Sequence, residues 1–339
     1  LLLRLEIKDL KKTMDFLSPY LQDFNQYLNT HLLKQDPENL YNPILYIMDA
    51  EGKRIRPVLS MMACEMFSED YKKALPVGLA LEVFHNFTLV HDDIMDNADL
   101  RRGKESVHIK YDIPTAILSG DAMVMLSFKY LMEADLPSDK AVNLFNTMTQ
   151  TGITLCEGQQ MDVDFESRLD VSIDEYLRMI EGKTAVLLGA ALKMGGIAGG
   201  ASEAYAEHLY QFGKNIGIAF QIQDDILDVF GNNEKVGKVK AGDIINNKKT
   251  YLFIKALELG SSLQKSLLIE AYSSYPDDPD DKVEKVLDIF NQLAVREYAS
   301  QLKEAYLDLG KSHLDAISID KSKKENLIKL ADYLIARES

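Results

Sequence analysis

Two stretches of the chain are apolar runs that end in crowded carboxylates. Phe84 to Gly103 reads FHNFTLVHDDIMDNADLRRG, and Phe220 to Phe230 reads FQIQDDILDVF. Each carries three aspartates at the spacing i, i+1, i+4: Asp92, Asp93 and Asp96 in the first, Asp224, Asp225 and Asp228 in the second. On a helix the outer two of each triad share one face, and the middle one lies about 100° round the axis. Carboxylates so placed repel one another and weaken the helix. A chain that sets this group into apolar sequence twice needs something to offset the repulsion, and a divalent cation with oxygen ligands is economical. Cations trail both runs, Arg101 and Arg102 after the first, then Lys238, Lys248 and Lys249 after the second. One triad alone reads equally well as a solvated acidic helix end. Two embedded copies favour a shared site, and carboxylates, metal and Lys/Arg together describe a binder of phosphate groups.

Around these runs, apolar residues recur at three and four spacing nearly everywhere. Helices are expected near 14–34, 39–49, 55–68, 71–95, 115–134, 139–165, 173–181, 183–199, 202–231, 247–259, 262–274, 280–309 and 320–337. No strand is expected, so the class is all-α. Breaks are short: a turn at Glu51 and Gly52, a junction at Leu136 to Ser138, a polar joint at Ser167 to Ser172 with a capping serine, a Gly- and Lys-rich loop at 231–242, and an acidic turn at 275–281. None is long enough for an interdomain linker, so residues 1–339 are expected to form one domain. The Gly- and Ala-rich helix from Thr184 to Gly200 suits a tightly packed centre.

Composition excludes some classes of function. Lys+Arg 38 against Asp+Glu 53 leaves a net charge of −15, unsuited to non-specific nucleic-acid binding. A phosphorylated ligand would need metals and a few placed cations. Cys64 and Cys156 match no zinc or redox spacing and read as buried thiols in a reducing compartment. No apolar stretch reaches spanning length without a charge, since Thr184 to Ala201 contains Lys193. A cytoplasmic protein is expected.

Three basic points could meet an anion. Lys53, Arg54 and Arg56 lie in GKRIRP, where Pro57 favours a helix start and Gly52 a close approach to ligand. Arg101 and Arg102 offer forks that suit phosphate oxygens. Lys183 and Thr184 follow Gly182 at an expected helix start. Lys249, beside Lys248, reads as solvated.

In order along the chain, GKRIRP at 52–57, HDDIMDNADLRRG at 91–103, GQQMD at 158–162, KTA at 183–185, FQIQDDILD at 220–228, GK at 237–238 and DIINNKKT at 243–250 resemble the trans-isoprenyl diphosphate synthases. This family includes farnesyl and geranylgeranyl diphosphate synthases. The resemblance implies a large helical bundle of the isoprenoid synthase type around a central active-site cavity. It implies condensation of an allylic diphosphate (dimethylallyl, geranyl or farnesyl) with isopentenyl diphosphate, releasing pyrophosphate. By the family pattern Asp92, Asp96 and Asp224 bind a cluster of three Mg²⁺, with Asp93, Asp225 and Asp228 as further or water-mediated partners. Arg101, Lys183 and Lys238 would contact the same diphosphate. Lys53, Arg56, His85 and Arg102 match the isopentenyl diphosphate contacts, with Lys248 at the rim. For His85, on an apolar face, a satisfied core histidine is an equal reading. Thr184 and Gln221 would face the developing carbocation, and Gln159 and Asp162 would line the same wall. No side chain stands out as a general base, and in the family the departing pyrophosphate takes the proton. Homodimers are the family's common state.

Product length would follow from the residues four and five before the first aspartate, Thr88 and Phe87, which point down the tail pocket. A single aromatic at the fifth position resembles short-chain synthases making twenty carbons, while Phe84 one turn below could shorten the product to fifteen. Ala241 and Asn246 depart modestly from the pattern, and Arg337 matches a basic tail weakly. A class I terpene cyclase shares the helical fold and the first motif but usually lacks a second DDxxD. A non-catalytic helical partner subunit would show degraded motifs, and both triads here are intact.

Overall fold

The computed structural model describes residues 15–32, 34–50, 52–231, 241–273 and 279–335. Its helices are α1 (Ser18–His31), α2 (Glu38–Met48), α3 (Ile55–Glu65), α4 (Leu75–Met95), α5 (Val107–Lys110), α6 (Ile113–Met132), α7 (Ser138–Glu166), α8 (Ile173–Ile180) and α9 (Val186–Gly199). They continue with α10 (Glu203–Phe230), α11 (Gly242–Ile245), α12 (Tyr251–Leu259), α13 (Ser262–Tyr272), α14 (Pro279–Gln292), α15 (Val295–Asp315) and α16 (Glu325–Ile335). The fold is all-α, as the periodicity implies. Among the described residues, no helix is long and apolar enough to cross a membrane.

The chain divides into two compact units. The first comprises Leu1–Met148, Ala191–Glu207 and Lys321–Asn326; the second comprises Thr149–Ala190, His208–Asp320 and Leu327–Ser339. In the first, Phe24, Val58, Leu79, Val83 and Met123 are fully buried. α4 is apolar almost all round, as a central helix must be. A 3₁₀ turn at Tyr71–Ala74, in which Asp70 accepts a hydrogen bond from the Lys72 amide at 3.0 Å, leads into α4, and Pro76 stands in its first turn. The close approach expected of the Gly-rich helix is present: a Cβ on Gly195 would sit 2.0 Å from the Ser60 carbonyl oxygen, and one on Gly199 2.4 Å from that of Cys64. Helix packing at that distance leaves no room for a side chain.

In the second unit Tyr176, Ile222, Leu252, Phe253, Tyr272 and Phe290 share one core, with the Phe253 and Tyr272 rings stacked at 3.9 Å. Ser172 and Glu175 form a reciprocal capping box at the start of α8, and Arg168 donates to the same glutamate at 2.9 Å.

Several expectations need correcting. The helix expected over 280–309 is two, α14 and α15, broken at Ala294, whose φ of 52° is left-handed. Leu100–Arg101 and Lys104–Glu105 form a short antiparallel hairpin, β1 and β2, where no strand was expected. Its turn residues Arg102 and Gly103 have φ of 53° and 75°, the twist that two-residue hairpins need. Lys183 and Thr184 do not begin a helix: Glu181–Ala185 is a π-helical turn that continues α8 into α9, so no free amides face an anion there. Cys156 is exposed, on the same outward side of α7 as Ile153, whereas Cys64 is buried as expected. Lys249 is buried and donates to the Glu166 carbonyl at 3.2 Å.

Candidate active site

Both triads sit in the last turns of their helices, where the helix dipole adds to the carboxylates' repulsion. α4 ends with Asp96 as C-cap, and Asn97 is left-handed at φ 48°. The Ala98 amide closes back on the Asp93 carbonyl at 2.9 Å. The side chains then divide by position in the motif. Asp93 is 0% exposed and takes both Nε (2.8 Å) and Nη2 of Arg101, while its second oxygen is buried without a hydrogen-bond partner. Asp92 is half-buried and Asp96 exposed.

The second triad repeats the division. Asp225 is buried, accepting from the Tyr176 hydroxyl at 2.5 Å and the Gln221 amide at 3.0 Å. Burial pushes its carboxyl up to about 7, against those two hydrogen bonds and with the help of Asp224 and Asp228. Asp243, which sequence reading passed over, is raised well above the usual carboxylate range by burial and by Asp225, Asp228 and Asp224. Asp228 accepts from the Asp243 amide at 2.8 Å and, through its carbonyl, from Ala241 at 3.1 Å. Asp224 and Asp228 are half-buried.

Beside this triad the π turn holds Lys183 and Thr184. Two glycines allow it: a Cβ on Gly158 would lie 2.4 Å from the Lys183 amide nitrogen, and one on Gly182 2.8 Å from the Thr154 carbonyl oxygen. Lys183 Nζ donates to Asp162 at 2.6 Å, and Lys248 Nζ lies 3.6 Å from the same carboxylate. Burial alone would raise the Asp162 carboxyl, but the two lysines win and hold it below the usual range. Thr184 donates to Gln221 at 3.3 Å, so Thr184, Gln221, Asp225 and Tyr176 form one hydrogen-bonded chain. Gln159 is buried with its amide oxygen unpartnered. The second unit thus brings Gln159, Asp162, Lys183, Thr184, Gln221 and Lys248 into the region of the second triad's helix and the turn beside it. Lys238 and Arg337 lie outside the described residues.

A separate basic cluster forms in the first unit. The β1–β2 turn carries Arg102 to Gly52, where an added Cβ would stand 2.9 Å from Nη1 of the guanidinium. Burial lowers Arg56 to about 10; Glu82 raises it and Arg102 lowers it further. Its Nε is buried without a partner. His85 is held well below its usual 6.5 by burial first, then by Arg56, Arg102, Arg101 and Arg54. Burial and the positive charge of those four guanidiniums all favour its neutral form. Lys53 is exposed. Arg54, expected among the residues that could meet an anion, is instead buried and committed to Glu82 and the Met48 carbonyl; Glu82 was not anticipated, and its sign was a lone carboxylate inside the apolar run LALEVF.

Below the first triad on α4, Phe84 and Phe87 are buried and meet edge to face at 4.7 Å, with His91 edge-on to Phe87 at 5.6 Å. Thr88 is buried, its hydroxyl bonded back to the His85 carbonyl at 2.8 Å.

Among the described residues, no three His, Cys, Asp or Glu side chains are grouped so as to hold a metal ion by themselves. The donors that reach solvent, on Asp92, Asp96, Asp224 and Asp228, are hard oxygens. That set fits Mg²⁺, which takes one or two carboxylates and completes its octahedron with water and substrate phosphates.

Residues 37–290 match the polyprenyl synthetase family. The chain is 38% identical over 315 residues to a geranylgeranyl pyrophosphate synthase of Geoglobus acetivorans, covering 93% of this chain and 96% of that one. It is 35% identical over 330 residues to a geranylfarnesyl diphosphate synthase of Natronomonas pharaonis, covering 92% and 94%. A crystal structure of a geranylgeranyl pyrophosphate synthase superposes with a TM-score of 0.90 at 41% identity, over 95% of this chain and 99% of that one. The chain belongs to the polyprenyl synthetase family, whose members are prenyltransferases.

Proposed function

We propose that the protein is a short-chain trans-prenyltransferase that joins an allylic diphosphate to isopentenyl diphosphate and makes geranylgeranyl diphosphate. The observation that carries this reading is the division of labour within each triad. The middle aspartate is buried and tied into the fold, while the outer ones lie at the half-buried or exposed margin where a ligand can reach them, and a cation-rich cluster stands ready for a second anion. Relatives named as geranylgeranyl diphosphate synthases support the product assignment.

In this reading Asp92, Asp96 and Asp224, with Asp228, hold Mg²⁺ at the allylic diphosphate. The family uses Mg²⁺, and this reading places three ions at the site. When bound, the metal neutralises charge that builds on the leaving diphosphate. Asp93 keeps Arg101 aimed at that diphosphate. Asp162 stores Lys183 and Lys248 until an anion competes for them. As the allylic C–O bond breaks, the Thr184 hydroxyl and Gln221 amide present dipoles to the cation, without a full anion that would trap it. The new C–C bond forms from isopentenyl diphosphate held by Lys53, Arg56, His85 and Arg102, and the released pyrophosphate takes the proton. Gln159 lines the wall through its unpartnered amide oxygen.

Phe87, with Phe84 behind it and Thr88 beside it, closes the tail pocket. Phe87→Ala should lengthen the main product by at least one five-carbon unit; an unchanged distribution on chromatography removes Phe87 from that role. The protein acts in the cytoplasm as a homodimer. The exposed residues Leu118, Met125 and Met132, seven apart on one side of α6, give that dimer an apolar face, and sedimentation at assay concentrations tests it. The reaction is tested with labelled isopentenyl diphosphate, Mg²⁺ and an allylic primer. Linear prenyl diphosphates support elongation, hydrocarbons from farnesyl diphosphate alone would mean a cyclase, and no turnover would mean a non-catalytic partner subunit.

A further inference from the structure

The basic cluster of the first unit has a foundation that the reaction does not use. Glu82, on α4, is 3% exposed in an otherwise apolar stretch, where an ionised side chain persists only if it is paired. Its partner is Arg54, itself buried: Nη1 donates to Glu82 Oε1 at 2.6 Å, while Nη2 donates to the carbonyls of Met48 at 2.6 Å and Ala50 at 3.3 Å. One guanidinium therefore ties the end of α2 to α4 and to the start of α3. Arg54 holds a left-handed φ of 49° to do so. Lys53 immediately precedes it and Arg56 follows two residues on. Asn86, one turn along α4, completes the shell by donating to the Glu82 carbonyl at 2.8 Å and to its carboxylate at 3.4 Å.

We propose that Glu82 and Arg54 are positioning residues: a buried ion pair that fixes the turn bearing Lys53 and Arg56 and holds Arg102 close, so that the receptor for the isopentenyl diphosphate is assembled before it binds. The inference rests on the reading of that cluster as the isopentenyl diphosphate site. Glu82 is the carboxylate that favours the charged forms of both Arg56 and Arg102, against their mutual repulsion and that of Arg54 and Arg101. Without it, several guanidiniums face one another with no internal anion, and they separate until substrate supplies one. The pair acts through other residues, so its removal raises the cost of binding one substrate and leaves the chemical step intact.

The test is steady-state kinetics with each substrate varied separately. Glu82→Gln should raise KM for isopentenyl diphosphate by about tenfold or more, with kcat and KM for the allylic diphosphate within about twofold. Glu82→Asp should recover part of the loss. If Glu82→Gln does not fold, Arg54→Lys keeps the charge beside Glu82 but cannot span the Met48 and Ala50 carbonyls, and it should show the same signature. A lower melting temperature with both KM values unchanged, or equal rises in both, would overturn the inference by making the pair merely structural. Arg102→Ala separates the two levels. If it raises KM for isopentenyl diphosphate while Glu82→Gln and Arg54→Lys do not, the positioning role alone fails. If Arg102→Ala has no effect on that KM, the site reading fails and the inference with it.

Discussion

The two aspartate triads share a spacing and a place at the end of an apolar helix, yet their buried members are neutralised differently. Asp93 meets a full cation, the fork of Arg101. Asp225 meets only dipoles, a phenol and an amide, and is crowded by Asp224, Asp228 and Asp243. The nearby lysines, Lys183 and Lys248, are occupied by Asp162. The first unit therefore carries a cation-rich site whose buried acids, Asp93 and Glu82, are paired with arginines, and the second carries the surplus of acid. A repeated motif need not be a repeated environment, and the surplus marks where added cations have most to gain.

The largest expected effect tests what the triads have in common. Asp92→Asn and Asp224→Asn each remove a solvent-reaching donor, and kcat should fall by about 10²–10³-fold in either case. A loss confined to one triad would break the shared assignment.

The next effect tests the difference. Asp93→Asn strands the Arg101 fork, and urea unfolding in Mg²⁺-free buffer should lose about 2 kcal/mol. Asp225→Asn keeps an acceptor for Tyr176 while removing one of several like charges. Its stability should stay within about 0.5 kcal/mol of wild type or rise. Equal losses in the two variants would mean that the buried aspartates are neutralised alike.

The smallest effect concerns the cation-rich side. His85 has a folded pKa below 6.5, so below that pH the unfolded chain takes up a proton that the folded chain refuses. Its contribution is complete above pH 6.5 and is lost as pH falls beneath it. His85→Gln removes this dependence, so wild type should lose about 1 kcal/mol relative to the variant between pH 7.5 and 5.5. Parallel curves would place a counter-charge beside His85 and weaken the contrast between the units.

What could be read beforehand follows from which forces leave a pattern in sequence. Helix periodicity, the capping serine at Ser172 and the spacing of the triads are local, and each appears where expected. The break at Ala294 sits at a strong helix former with no local signal, because tertiary packing imposes the left-handed residue. The π turn at Lys183 depends on Gly158 and Gly182 meeting from distant positions, which no window of sequence contains. Lys249 beside Lys248 looked solvated because adjacent residues on a chain say nothing about which one a core will admit. Within the site, the triads and the basic clusters were legible by type and order. Which aspartate turns inward was decided by Arg101 and Tyr176, and those partners become visible only in three dimensions.

A single Mg²⁺-dependent elongation that needs both triads is the reading on which every other assignment rests. Its most direct test is product analysis of labelled isopentenyl diphosphate with dimethylallyl diphosphate, run with Mg²⁺, with excess chelator and with Mg²⁺ restored. A twenty-carbon diphosphate should form, disappear on chelation and return with the metal. Incorporation of isopentenyl diphosphate that survives thorough chelation would contradict that reading.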